Sequence, residues 1–192
     1  SANQDYRPMK VVKFCLFPVF LFLTAITVLG YLAPEGWDVN VSTEINARPE
    51  TIYPFVDELS RWQEWIELTE AGNDKFTFTY EGPARGVGAV GKSVGAGSDV
   101  RWEITASDPQ RGIWFDELLH GEAQAKGAIM WEVVGNITKV TWVDRGTLGS
   151  FPIKRYFHPL MDKSLNDAYT RNLAGLKRVA EAIEKGAKKS GE

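Results

Sequence analysis

Sulfur and histidine are scarce in this chain: among 192 residues there is one cysteine, Cys15, and there are two histidines, His120 and His158. Everything after Cys15 therefore lacks both a disulfide and a thiol nucleophile. The histidines stand far apart in sequence, with no cysteine partners and no H-x-x-x-H spacing, which argues against metal ligation and assigns neither a metal nor a cofactor. Charge of one sign is missing as well. The net charge is −3, with acidic and basic residues interleaved, so there is no electrostatic footprint for a nucleic acid. The residues before Cys15, Lys13 and Phe14, are not the small residues of a lipoprotein cleavage box, and its thiol reads as packed or lipid-facing.

What is abundant is apolar and aromatic. Residues 14–32, FCLFPVFLFLTAITVLGYL, carry no charge, and at about 1.5 Å per residue they span roughly 28 Å, the thickness of a bilayer core. Arg7, Lys10 and Lys13 precede the run, while Glu35 and Asp38 follow it. The positive-inside rule then predicts a single-pass transmembrane helix with a cytoplasmic N-terminal segment, 1–13, and a linker, 33–37. The domain that follows is expected on the periplasmic or extracellular side of the cell membrane. Tyr31 and Trp37 fall where aromatic rings settle at headgroup level. A cleavable signal peptide is the competing reading, but the run exceeds a signal h-region and Tyr31-Leu32-Ala33-Pro34 is a poor cleavage site.

Beyond the run, Val39, Val41, Thr43 and Ile45 alternate as a strand, and Pro49 with Glu50 opens a short helix with Ile52, Phe55 and Val56 as its apolar stripe. A second short helix is predicted over 59–66. After a turn at 71–74, strand patterns follow one another: Phe76, Phe78 and Tyr80; Val100, Trp102 and Ile104; 113–118; Ala125 to Val133; and, past the Gly135-Asn136 hairpin turn, Val140 and Trp142. From Leu160 to Lys185 the period returns to helical, leaving 186–192 as a flexible tail. Strand, two short helices, a run of strands and one long helix is an α+β order. It predicts a curved antiparallel sheet of about seven strands around the C-terminal helix, with a gap on the concave side suited to an apolar ligand.

Over about 38–185 the sequence resembles the START/Bet v 1-like (SRPBCC) superfamily, which has the helix-grip fold, and specifically its polyketide cyclase/dehydrase and lipid transport branch. The resemblance rests on Ile45-Asn46-Ala47-Arg48-Pro49-Glu50-Thr51-Ile52-Tyr53 and on Asp57 with Trp62 and Trp65. Gly82-Pro83, Gly86-Val87-Gly88, Ile104 with Asp108-Pro109, and Thr138 to Trp142 add strand landmarks. Leu173-Ala174-Gly175-Leu176-Lys177 is similar to the terminal-helix signature. The superfamily implies a fold and no shared catalytic set, and an N-terminal membrane anchor departs from its usual form.

Gly86-Val87-Gly88-Ala89-Val90-Gly91 fits G-x-G-x-x-G, yet the glycine-rich, strand-like continuation lacks the helix a dinucleotide fingerprint needs, so a hairpin or a lid over the cavity is expected. Alternation puts Glu117 on the face of Ile113 and Phe115, and Asp144 on the face of Val140 and Trp142. Inside a cavity these two carboxyls would serve as acid and base or hold a ligand hydroxyl; past the strand ends they would sit in water beside Arg145. Trp102, Trp131, Trp142 and Phe115, with Tyr169 and Leu173 opposite, are the expected ligand-binding residues, ordinary core packing being their other reading. The function expected is non-catalytic, membrane-anchored binding of a hydrophobic, lipid-like or isoprenoid-like small molecule. Two alternatives are an accessory subunit docked on other integral membrane subunits, and a polyketide cyclase/dehydrase-like enzyme using Asp144 and Glu117.

Overall fold

A computed structural model describes residues 8–66, 77–95, 98–119, 123–147, 155–156 and 158–190. Helix α1 (Pro8–Leu32) leads into strand β1 (Gly36–Ile45), helix α2 (Pro49–Asp57) and a 3-10 helix (Leu59–Glu64). Strands β2 (Thr77–Glu81), β3 (Val90–Gly95), β4 (Ser98–Asp108), β5 (Gly112–Leu119), β6 (Ala123–Val134) and β7 (Ile137–Thr147) follow, and α3 (His158–Ser190) closes the order. The strands form one seven-stranded antiparallel sheet in the order β1-β7-β6-β5-β4-β3-β2. The α+β expectation, with two short helices after the first strand and one long terminal helix, is met. The tail is shorter than expected, since α3 continues to Ser190. Phe76, the turn at 71–74 and His120 lie outside the described residues.

Alternation along β7 buries Thr138, Val140, Trp142 and Asp144 in sequence, and the same parity in β1 buries Trp37, Val39 and Ile45. A bulge at Thr105 breaks the register of β4 and turns Ser107 inward, where it donates to Asp57. The Tyr53 hydroxyl joins that pair at 2.9 Å from Ser107. Trp62 and Trp65 donate their indole N–H groups to the carbonyls of Val56 and Phe55, at 2.9 Å each. Two carbonyls that α2 leaves open at its C-terminal end are thereby satisfied inside the core. Gly175 lets α3 come down onto this layer, because a Cβ there would stand 2.1 Å from the Trp65 carbonyl oxygen. At the far end of α3, Glu184 accepts from Thr51 Oγ1 at 2.6 Å and Arg48 Nε at 3.1 Å, tying the helix to the start of α2.

The N-terminal helix departs from expectation. It opens at Pro8 instead of Phe14, and among the described residues no helix is long and apolar enough to cross a membrane. The single-pass span over 14–32, and the periplasmic or extracellular placement derived from it, are overturned. The last turns of α1 are tied to the domain: the Tyr156 hydroxyl donates to the Ile26 carbonyl, and Arg155 reaches the Tyr31 carbonyl at 3.3 Å and Glu35 at 2.9 Å. Polar and charged side chains of the domain thus stand against the end of the helix, a setting unlike the lipid that surrounds a membrane span. Trp37, expected at headgroup level, is buried in the core as part of β1. The bilayer and the integral membrane subunits named as partners lose their support with the span.

Candidate ligand-binding site

The concave face of the sheet, the 3-10 helix and the first half of α3 enclose a cavity of about 300 Å³. Its position follows from where α3 sits. The helix packs chiefly on β1, at one side of the sheet, so the concave surface of β3, β4 and β5 is only partly covered. Met161, Leu165, Ala168, Tyr169 and Asn172 supply the helical wall; Leu59, Trp62, Gln63 and Ile66 supply a second; strand residues complete it.

One lateral row of the sheet builds the polar end. Trp102 on β4 lies opposite Glu117 on β5, Glu117 opposite Ala125 on β6, Ala125 opposite Gly146 on β7, and Gly146 opposite Trp37 on β1. The next row contains Phe115, Gly127 and Asp144. Between the large side chains stand only Ala125, Gly127 and Gly146. A Cβ at Gly146 would lie 2.0 Å from the Trp37 ring, and one at Gly127 would lie 2.2 Å from Phe115. Small residues on β6 and β7 thus leave a trough in which Glu117, two strands from Asp144, reaches the same spot.

Both carboxyls are buried, Asp144 at 1% and Glu117 at 8% exposure. Tyr169 on α3 donates its hydroxyl to Asp144 Oδ2. Asp144 Oδ1 receives no bond from an N–H group or from an alcohol or phenol hydroxyl. Burial drives the Glu117 pKa well above the usual carboxylate value of 4.5; the Asp144 charge and the hydrogen bond between the two add to the rise, and Trp102 opposes it. Asp144 is also raised by burial, against the lowering pull of Tyr169, Glu117 and Trp37. Both carboxyls are thus raised, Glu117 well above its ordinary value, so the pair holds on to a proton that the two groups face between them. The Tyr169 phenol is held well above its ordinary value by burial and by the two carboxyls, so it remains a donor.

Aromatic rings surround this pair. Tyr169 stacks on Trp142 with centroids 4.4 Å apart and planes at 11°. Trp62 lies 5.7 Å from Trp102 and 6.0 Å from Trp142, centroid to centroid. The indole N–H of Trp142 is buried without an acceptor at hydrogen-bond distance, while that of Trp37 interacts with Asp144 outside strict hydrogen-bond geometry.

Of the residues singled out in sequence, Trp102, Trp142, Tyr169, Glu117 and Asp144 line the cavity together. Phe115, Trp131 and Leu173 do not. The Phe115 ring is turned over Gly127, Trp131 lies farther along β6 against Tyr53 at 6.0 Å, and Leu173 is fully buried beneath α3. Sequence reasoning missed Trp37, Trp62, Ser93 and Asn172 as lining residues. The parity of Val39, Val41 and Ile45, carried two residues further back, reaches Trp37 and was the available signal. The glycine loop before β3 is not a lid: Gly86 N–H donates to Asp57 O at 3.1 Å and Gly88 N–H to Ile104 O at 2.8 Å, which pins it to the core. A strand and no helix follows it, so the dinucleotide geometry is missing. Among the described residues no group of three metal-ligating side chains gathers.

Residues 36–181 match the family described as "Polyketide cyclase / dehydrase and lipid transport". No curated protein matches. Among solved structures, TTHA0849 from Thermus thermophilus is similar with a TM-score of 0.58 at 17% identity, over 76% of this chain and 98% of that one. CV1439 from Chromobacterium violaceum gives 0.57 at 15% identity, over 77% and 99%. The Aha1 dimer from Colwellia psychrerythraea gives 0.51 at 19%, over 75% and 96%. At these identities the likeness speaks for the fold alone.

Proposed function

The chain belongs to the polyketide cyclase/dehydrase and lipid transport family, and from that premise we propose that it binds a hydrophobic small molecule, without covalent chemistry, in the cavity between sheet and α3. The observation that carries this reading is a partly open cavity of about 300 Å³, walled by Trp37, Trp62, Trp102, Trp142 and Tyr169, beside the buried core. Interiors pack densely, and a gap of this size lined by large apolar groups forfeits contacts that a ligand restores. The experiment compares wild type with Ala168→Phe, which puts a ring into the cavity from α3. Mass spectrometry of organic extracts is expected to find an apolar compound with the wild-type protein and none with the variant. Equal recovery from both, or none from either, overturns the reading.

A second reading, proton-transfer catalysis of the cyclase/dehydrase kind, is favoured by the buried pair. Neighbouring carboxyls held in opposite protonation states are suited to act as acid and base, Glu117 donating and Asp144 accepting. Its test is turnover of a poly-β-keto thioester mimic. Product must form with the wild-type protein and fail to form with either Glu117→Gln or Asp144→Asn.

A further inference from the structure

We propose that the cavity's ligand carries a positively charged nitrogen, an apolar molecule with an ammonium group seated at the Glu117–Asp144 end. This rests on the binding reading above and adds the chemistry of the ligand's head.

Two independent features point the same way. The first is charge without a counter-ion. Asp144 is buried at 1% exposure, lines the cavity, and is served only by neutral donors, the Tyr169 hydroxyl and its neighbours Glu117 and Trp37, with no cation beside it among the described residues. Each nearby cation among the described residues is engaged elsewhere: Arg145 with Asp38 at 3.0 Å, Arg101 with Glu103 at 2.8 Å, and Lys92 with Glu81 at 2.6 Å. Arg155 is held by Glu35 at 2.9 Å beside α1. Besides the pair itself, Tyr169 on α3, Tyr80 on β2 and Lys92 on β3 are the titratable groups on the cavity wall. A proton kept by Glu117 is all that offsets the pair's negative charge. A buried carboxylate with no cation is costly, and an ammonium ion brought by a ligand relieves that cost.

The second feature is the wall itself. Rings of Trp37, Trp62, Trp102, Trp142 and Tyr169 all line the cavity with the two carboxyls. Indole and phenol faces carry negative potential and hold organic cations in aromatic cages, most strongly where water is excluded. An anionic head, such as a fatty-acid carboxylate, meets the opposite: a negative pair and ring faces of the same sign. When the cation enters, it pairs with the one carboxylate that is ionised while the other carboxyl keeps its proton, so the pair's negative charge is neutralised and no proton has to leave.

The test uses two probes of one shape, benzyltrimethylammonium and its neutral carbon isostere neopentylbenzene, titrated into the full chain by calorimetry and tryptophan fluorescence. Both are expected to bind wild type. Asp144→Asn is expected to weaken the cation by about tenfold or more while leaving the neutral probe within about threefold, which also reports that the variant is folded. Binding of the neutral probe without the cation, or unchanged cation affinity in Asp144→Asn, overturns this inference and leaves hydrophobic binding standing. Failure of both probes to bind overturns the binding reading with it.

Discussion

Tyr169 on α3 donates its hydroxyl to Asp144 on β7. With the flat contact of the same ring on Trp142, this fixes where the terminal helix rests on the sheet. The bond is buried, and it joins the terminal helix to the sheet at the cavity. Tyr169→Phe leaves one more Asp144 oxygen unserved. A loss of about 1–3 kcal/mol is expected in chemical denaturation, with much of it recovered when Asp144→Asn is added. A double-mutant cycle measures the coupling.

Stability should depend on pH through Glu117. Its folded pKa lies above the unfolded value, so the native state holds the proton more tightly than the unfolded chain. Its effect is neutral below the unfolded carboxylate value and becomes destabilising as pH rises from about 4.5 through the folded pKa. Wild type is therefore expected to lose stability over that rise, and Glu117→Gln to flatten the slope and exceed wild type at neutral pH. Melting temperatures of both proteins from pH 4 upward check this; parallel curves would refute it.

Gly175 is a packing requirement. Alanine would gain about 1 kcal/mol of helix propensity, but its Cβ would stand 2.1 Å from the Trp65 carbonyl oxygen, a backbone atom that cannot step aside. A net loss of roughly 1–3 kcal/mol is expected for Gly175→Ala from overpacking. A rise in the melting temperature would show that α3 shifts freely.

Trp62 and Trp65 serve α2 as well as the core. Replacing either by Phe keeps an aromatic ring but leaves the Val56 or Phe55 carbonyl without its indole donor. About 1–3 kcal/mol should be lost at each. Hydrogen exchange of the α2 amides should speed up before the sheet responds, since α2 is short and depends on these bonds.

Much of the fold was legible because its elements announce themselves locally. Period-two alternation places Trp142 and Asp144 on one face of β7, and the helical stripe places Tyr169 and Leu173 on one face of α3. The inward turn of Glu117 and Asp144 was readable from the same parity. Their meeting was not. It depends on β6 lying between β5 and β7, and on Ala125, Gly127 and Gly146 being small at the two rows concerned. The cavity wall was divided similarly: parity says which rings face inward, while the seat of α3 over β1 decides which of them a cavity touches. Trp131 and Phe115 face inward and are covered; Trp37 and Trp62 were not singled out and line the space.

The sequence by itself determined the α+β order of elements and the buried faces of strands such as β1 and β7, because these follow from short-range periodicity, while its motifs carried the resemblance to the family. Only the tertiary structure decided that the end of α1 is tied to Tyr156 and Arg155, and that Glu117 and Asp144 meet at one cavity among Trp37, Trp62, Trp102 and Trp142. Those facts depend on which strands become neighbours and how closely their side chains approach. Contacts between residues far apart along the chain leave no periodic mark on either segment.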